Sequence, residues 1–187
     1  ALDMANEIFG SGMDVNTATY SGDADSSGTY SNGDAVSPFT TPGDTGVTLS
    51  TGNAIDFTNS DGSTNTNQSG GTSTNATGGI DGDADFNALA IGSSFDATFL
   101  EITFTPTGDT ITLDFVLSSE EYPDFVNTQY NDVIGVWVNG TLATVSVGDG
   151  TASISNINSG ETQNIFNYNL ADQFNTEMDG FTVTLTF

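Results

Sequence analysis

The sequence predicts an all-β fold, an antiparallel β-sandwich resembling a jelly roll, with a short N-terminal helix and long loops. From residue 97 onward, apolar and polar residues alternate in short runs that recur at intervals of roughly 8–12 residues between turn signals. The chain also contains 29 Thr, 19 Ser, 18 Asn and 22 Gly among 187 residues, almost half of its length. Thr favours strands and the other three favour turns, so this composition is typical of turn-rich β proteins.

The first half begins with a helical segment and continues with weaker signals. Residues 1–12 predict a short helix that presents one apolar side and ends at glycines; the apolar residues are Leu2, Ala5, Ile8 and Phe9. Residues 13–45 predict short strands and long loops, and residues 47–51 predict a strand. Residues 58–79 are almost free of apolar side chains and form a low-complexity loop.

The second half carries most of the predicted strands. They occupy residues 97–105, 110–118, 133–138, 141–147, 152–157, 165–168 and 181–187. Asn139-Gly140 is the strongest hairpin signal, because both residues tolerate a positive φ angle. A length of 187 residues suits one domain or two very small ones, and we predict a single domain over residues 1–187.

The charge composition excludes several functional classes. There are 19 Asp and 6 Glu but no Lys, Arg, His or Cys, and the formal charge is −25. Without cationic side chains we expect neither nucleic-acid binding nor a Ser–His–Asp site. No 18-residue apolar span occurs, so we expect no membrane insertion. A metal site has to use oxygen ligands, which favours Ca²⁺ as the cofactor.

The first candidate metal site follows a strong strand. Its oxygen ligands fall within about a dozen residues of one another, and they are Glu120, Glu121, Asp124, Asn131 and Asp132. Carboxylates held about 4 Å apart repel by roughly 4 kcal/mol at an effective dielectric near 20, and a hard cation reverses that sign. The alternatives are a solvated loop whose carboxylates cap backbone N–H groups, or a catalytic pair.

A second candidate site alternates carboxylates with small residues at Asp81, Asp83 and Asp85. The pattern resembles the start of a calcium loop, although Gly92 stands where an EF-hand has its twelfth-position Glu. The alternative makes Asp85 the N-cap of a short helix at residues 86–90. Asp23 and Asp25 form a weaker copy, and Asp179 is either a turn residue or a further ligand.

Several blocks of the second half resemble the choice-of-anchor L domain of bacterial surface proteins. They are the Ser-Glu-Glu-Tyr run at residues 119–122, the pair Asn131-Asp132 that opens the next strand, and the Asp-Gly-Phe-Thr block at residues 179–182. The resemblance spans nearly the whole chain. It implies export and attachment or assembly outside the cell, without an established enzymatic activity. It also implies further strands beyond Phe187, whose absence would leave a sheet edge open to a neighbouring subunit.

These observations favour an extracellular, calcium-stabilised structural protein that self-assembles into a filament or surface layer. We expect a homopolymer held by β-edge or N-terminal segment contacts, and no enzymatic activity. The first alternative is a monomeric surface adhesin or glycan-binding module that uses the 58–79 loop. The second is a hydrolase that depends on Glu120 and Glu121, since glycosidases need two carboxylates.

Overall fold

The computed structural model describes residues 1–63 and 78–187, so most of the predicted low-complexity loop lies outside it. Its helices are α1 (Leu2–Phe9), α2 (Gly33–Val36) and α3 (Ala84–Ala90). Helix α1 confirms the N-terminal prediction and ends at Gly10, whose φ is 53°. Its buried residues are Met4 and Ala5, whereas Leu2 is 51% exposed. Of the predicted apolar residues, Ala5 is buried and Ile8 and Phe9 are half-buried, so the predicted side faces the protein except at Leu2.

Two strands, one in each half of the chain, have nine and eight residues, and all the others are shorter. The strands are β1 (Met13–Ser21), β2 (Ser27–Ser31), β3 (Thr45–Leu49), β4 (Phe99–Pro106), β5 (Asp114–Phe115), β6 (Ser118–Ser119), β7 (Val133–Ile134), β8 (Trp137–Val138), β9 (Thr141–Leu142), β10 (Ala152–Ser153), β11 (Phe166–Tyr168), β12 (Gly180–Thr182) and β13 (Leu185–Thr186). Every strand pair between described residues is antiparallel.

The longest pairing joins β1 to β4, with Met13 opposite Pro106 and Ser21 opposite Phe99. Strand β4 was predicted. Residues 13–45 were predicted to form short strands and long loops, and they contain the short strand β2 as well as β1, whose nine residues exceed that prediction. A register shift lies between Val15 and Thr17. This bulge moves the half-buried positions of β1 by one residue, so its sequence does not alternate with a constant period of two.

The segments at residues 110–118 and 181–187, both predicted as strands, pair with one another. Phe115 lies opposite Leu185, and Ser118 lies opposite Phe181. Between these pairs the register changes by one residue, which divides each predicted strand into two short ones. The predicted alternation from Ile111 to Leu117 is present: every second residue in this run is buried or half-buried, and the residues between them are more exposed. Strand β11 pairs with the other side of β12, so that β11, β12 and β6 form a three-stranded sheet.

The Asn139-Gly140 hairpin is confirmed. Their φ angles are 50° and 76°, as a type I′ turn requires, and they connect β8 to β9. The predicted strand over residues 133–138 is interrupted at Gly135. A Cβ atom at Gly135 would lie 2.1 Å from the indole of Trp137, so the ring occupies the space of a side chain there. The strands predicted at 141–147 and 152–157 are likewise reduced to β9 and β10.

The main hydrophobic core lies where β5, β10, β11 and β13 meet the loop after β6. Its buried members are Phe115, Leu117, Tyr122, Val145, Ala152, Ile154, Ile157, Phe166 and Leu185. The ring of Tyr122 packs on that of Phe166 with centroids 4.4 Å apart. The hydroxyl of Tyr122 donates a hydrogen bond to the backbone oxygen of Ile157. The ring and the hydroxyl of this one side chain therefore both attach the loop after β6 to the core.

The described residues therefore form a mostly β structure of small antiparallel sheets. This confirms the predicted class, and the arrangement of those sheets as a jelly-roll-like sandwich stays a prediction. No helix among residues 1–63 and 78–187 is both long and apolar enough to span a bilayer.

Phe181 provides a test of this packing. It is 0% exposed and meets the ring of Phe174 edge-on at 5.0 Å. We expect Phe181→Ala to lower the free energy of unfolding by about 3–5 kcal/mol, because it leaves a cavity in a packed region. Urea unfolding measures this loss. Ile55, which is 85% exposed, provides the control. Ile55→Ala should change stability by no more than about 0.5 kcal/mol, and equal losses at both positions would contradict the described packing.

Candidate functional site

The acidic residues after β6 are organised by the hydroxyl of Ser119. Its Oγ donates to Oδ2 of Asp132 at 2.5 Å and accepts from the backbone N–H of Glu121 at 2.9 Å. Ser119 itself is 2% exposed. Strand β6 positions Ser119, and Asp132 directly precedes β7. Ser119 and Asp132, which are 13 positions apart, therefore meet between two strand ends.

Burial raises the pKa of both carboxyl groups at this junction. The pKa of Asp132 is raised by desolvation, and the hydrogen bond from Ser119 opposes part of this rise. The pKa of Glu121 is raised first by desolvation and second by the negative charge of Asp132. The same two causes raise the pKa of the Tyr122 phenol. The site is thus a region in which negative charge is unfavourable and has no cationic side chain nearby to stabilise it.

The other predicted ligands near this junction have different surroundings. The side chain of Asn131 donates to the backbone oxygen of Ala90 at 3.3 Å and accepts from the N–H of Ser155 at 3.1 Å. It connects the end of α3 to the segment after β10. Asp124 is exposed to solvent, whereas Glu120 is half-buried. The structure therefore brings Glu121 and Asp132 together through Ser119, and it gives Asn131 a connecting position.

The Asp81, Asp83 and Asp85 cluster is built around the start of α3. Oδ1 of Asp83 accepts from the N–H groups of Asp85 and Phe86, both at 3.0 Å. Asp83 is therefore the N-cap of the helix, and the alternative that gave this role to Asp85 is wrong. Oδ1 of Asp81 accepts from the N–H of Asp96 at 3.1 Å. Asp85 is exposed in the first turn, where a negative charge favours the helix.

The remaining candidates are also engaged with backbone. Oδ1 of Asp23 accepts from the N–H of Asp25 at 2.9 Å, in the same pattern as Asp83. Asp179 precedes β12, and its backbone oxygen accepts from the N–H of Asn169 at 2.8 Å. Within residues 1–63 and 78–187, no three acidic side chains are grouped closely enough to hold a metal ion. The ligand assignments thus stay predictions, with the Glu121–Asp132 pair as the closest approach to a site.

An apolar cavity was not found by the sequence analysis. Its volume is about 440 Å³, and its lining residues are Phe39, Asn167, Phe174, Val183 and Thr184. Phe39 and Phe174 meet edge to face with ring centroids 6.4 Å apart. These two residues are 135 positions apart in the chain, and no local pattern connects them.

Comparison with known proteins identifies one family. The model of the choice-of-anchor L domain matches residues 2–187, which confirms the resemblance drawn from the motifs. No curated protein matches the chain, and neither does any solved structure. The family implies a surface-anchored or secreted bacterial protein.

The raised pKa of Asp132 predicts a pH dependence of stability. The folded state favours its protonated form, so the stabilisation is complete below the unfolded pKa of about 3.9 and is lost as pH rises through the folded pKa. We expect Asp132→Asn, measured in EDTA, to weaken the fall in melting temperature between about pH 4 and pH 7 and to melt higher than the wild type at the upper end.

Asp109→Asn is the matched control, because it removes one negative charge at an exposed turn. It should keep the slope of the wild type. If both variants change the slope equally, the pH dependence reflects total charge and not the burial of Asp132.

Proposed function

The chain belongs to the choice-of-anchor L domain family, and from this premise we propose that it is a secreted, calcium-stabilised structural protein that assembles with copies of itself outside the cell. The product of assembly is a filament or a surface layer. The observation that supports the calcium part is the Glu121–Asp132 pair, in which burial and mutual repulsion disfavour two negative charges.

A cation at this pair would relieve both effects. The chain has no Lys, Arg or His, so the compensating charge has to be a proton or an ion from outside. Oxygen donors of this kind select hard cations, and extracellular Ca²⁺ is the one that tolerates irregular geometry. The carboxylates of Glu121 and Asp132 would hold the ion, with the Ser119 hydroxyl beside them.

The donor set fits calcium in part. Ca²⁺ takes 6–8 oxygen ligands, and two carboxylates with one hydroxyl supply fewer than that. In the described part of the chain no third acidic side chain joins the pair. Backbone carbonyls and water would have to complete the shell, which is the composition of a weak, exchangeable site and not of a closed structural one.

Self-assembly is supported by the sheet edges and the exposed apolar residues. The β1–β4 sheet has two strands among the described residues, so each has an outer edge that can accept another strand. Helix α1 packs on its own chain against β1 and β3, which favours the β-edge over the N-terminal segment as the contact. Large apolar side chains are also exposed at Ile91 and Phe95.

The charge of −25 per copy links the proposed calcium binding to the proposed self-assembly. Like charges at this density oppose association, and the opposition falls as ions bind or screen them. Calcium would therefore act on folding through the Glu121–Asp132 pair and on assembly through the reduced repulsion between copies.

A calcium titration followed by EDTA tests this function. We expect Ca²⁺ to raise the melting temperature and the particle size seen by light scattering, and EDTA to reverse both. At a calcium concentration 100 times the Kd, the stabilisation should be about 2.7 kcal/mol. Glu121→Gln should lose most of the calcium-dependent rise in melting temperature, whereas Asp109→Asn should keep it.

The outcomes separate the two parts of the proposal. A rise in melting temperature without growth in particle size would support the calcium site and overturn self-assembly, leaving a monomeric display module. If neither quantity responds to calcium, the carboxylates are a solvated surface and the calcium role is wrong.

A further inference from the structure

Phe39 combines an unfavourable backbone conformation with a side chain that is mostly exposed to solvent. Its φ is 74°, in the left-handed region that bulky residues rarely adopt. Its side chain is 73% exposed. The residue thus combines backbone strain with an aromatic ring in water, and neither feature stabilises the folded chain. Strain of this kind is retained where the surrounding structure enforces it, often at binding sites.

Buried hydrogen bonds on both sides of Phe39 enforce this conformation. Ser37 and Thr40 are each 2% exposed. The hydroxyl of Ser37 donates to the backbone oxygen of Asn175, and the hydroxyl of Thr40 donates to the backbone oxygen of Ser37 at 3.0 Å. The amide of Asn175 donates to the backbone oxygen of Val36 at 2.7 Å. The turn is therefore fixed to the segment before β12, and Phe39 projects from a rigid base.

Phe39 forms one wall of the apolar cavity of about 440 Å³ described above. The adjacent ring, Phe174, rests edge-on against the fully buried Phe181. Both rings are thus anchored, one by the Ser37 turn and the other by the core. Asn167 and Thr184 add polar groups to the lining. A preformed apolar cavity of this size with a few polar groups has the usual features of a ligand pocket.

Charge identifies the chemistry of the occupant. Asp172 lies in the same loop as Phe174, and Asn169 fixes this loop by two hydrogen bonds. The backbone oxygen of Asn169 accepts from the N–H of Asp172, and the Oδ1 atom of Asn169 accepts from the N–H of Phe174, both at 2.9 Å. Every ionisable side chain outside the Tyr residues is acidic, so a second copy would bring another −25 to the contact. A partner with Lys or Arg is attracted instead, and its cations also interact favourably with the exposed aromatic face.

We propose that this cavity binds an apolar side chain of a basic polypeptide, whose flanking Lys or Arg residues lie against Asp172 and the acidic surface. The apolar side chain enters the cavity beside the ring pair formed by Phe39 and Phe174. The inference goes beyond the calcium-dependent assembly proposed above, since it uses other residues and needs no metal. It gives this surface protein an adhesive contact with cationic partners.

Three synthetic peptides test the proposal with the full chain in EDTA at low salt. Each is short, acetylated and amidated, and carries a fluorophore for anisotropy. The first has one Phe flanked by Lys residues, the second has Ser in place of that Phe, and the third has Glu in place of the Lys residues. We expect the first to bind about tenfold more tightly than the second, as for a buried aromatic anchor, and the third not to bind.

Phe39→Gly separates binding from folding. Glycine adopts a φ of 74° without strain, so the variant should melt no lower than the wild type while its affinity for the first peptide falls about tenfold. Ile91→Gly is the matched control, because Ile91 is also exposed, at 89%, and has a φ of 59°. It should keep the affinity of the wild type.

Three results would overturn the proposal. Equal binding of the Phe and Ser peptides would show attraction by charge alone, with the cavity unused. Unchanged affinity in Phe39→Gly would place the contact elsewhere. Self-association in EDTA that is lost in Phe39→Gly, with no peptide binding, would make a second copy the occupant. Calcium-dependent assembly should persist in Phe39→Gly, so the two proposals fail independently.

Discussion

The absence of any cationic side chain is the constraint on which the rest of this structure depends. With 25 acidic residues and no Lys, Arg or His, no carboxylate has a side-chain counter-ion. Several Asp residues accept a hydrogen bond from the N–H two residues later instead. Asp23, Asp61, Asp83 and Asp149 all follow this pattern. These acidic groups therefore stabilise turns and helix starts locally, and the fully buried polar side chains of the described residues are neutral apart from Glu177, which is 5% exposed.

Buried amides take the positions that ion pairs occupy in other proteins. Asn169 is 0% exposed, and its Nδ2 donates to the backbone oxygens of Thr176 and Met178 at 2.8 and 3.2 Å. Asn158 and Asn175 connect other loops in a similar way. A neutral amide offers two donors and an acceptor without the desolvation cost of a charge. Glu177, which is 5% exposed, and Asp132, whose pKa burial raises, depart from this pattern, and the proposed calcium site lies where Asp132 meets Glu121.

Elements that depend on residues close together in the sequence could be predicted, whereas elements that depend on contacts between distant parts of the chain could not. Helix α1 and the Asn139-Gly140 turn depend on neighbouring residues, and both were predicted. The alternation of residues 110–118 was also visible, but its partner strand and the register change were not. Residues 13–45 were predicted to contain short strands, but the nine-residue length of β1 was not predicted, because a bulge shifts its period and a bulge is defined by the opposite strand.

The sequence by itself determined the net charge, the restriction to oxygen ligands, the β-rich class and the family. These follow from residue types and short motifs. Only the tertiary structure decided that Asp132 is half-buried while Asp124 is exposed, that Asp83 caps α3, and that Phe39 faces Phe174. The physical reason is that burial and electrostatic environment are set by atoms from distant parts of the chain. Ser119 reaches Asp132 across 13 residues and Ser37 reaches Asn175 across 138, and no local pattern contains those contacts.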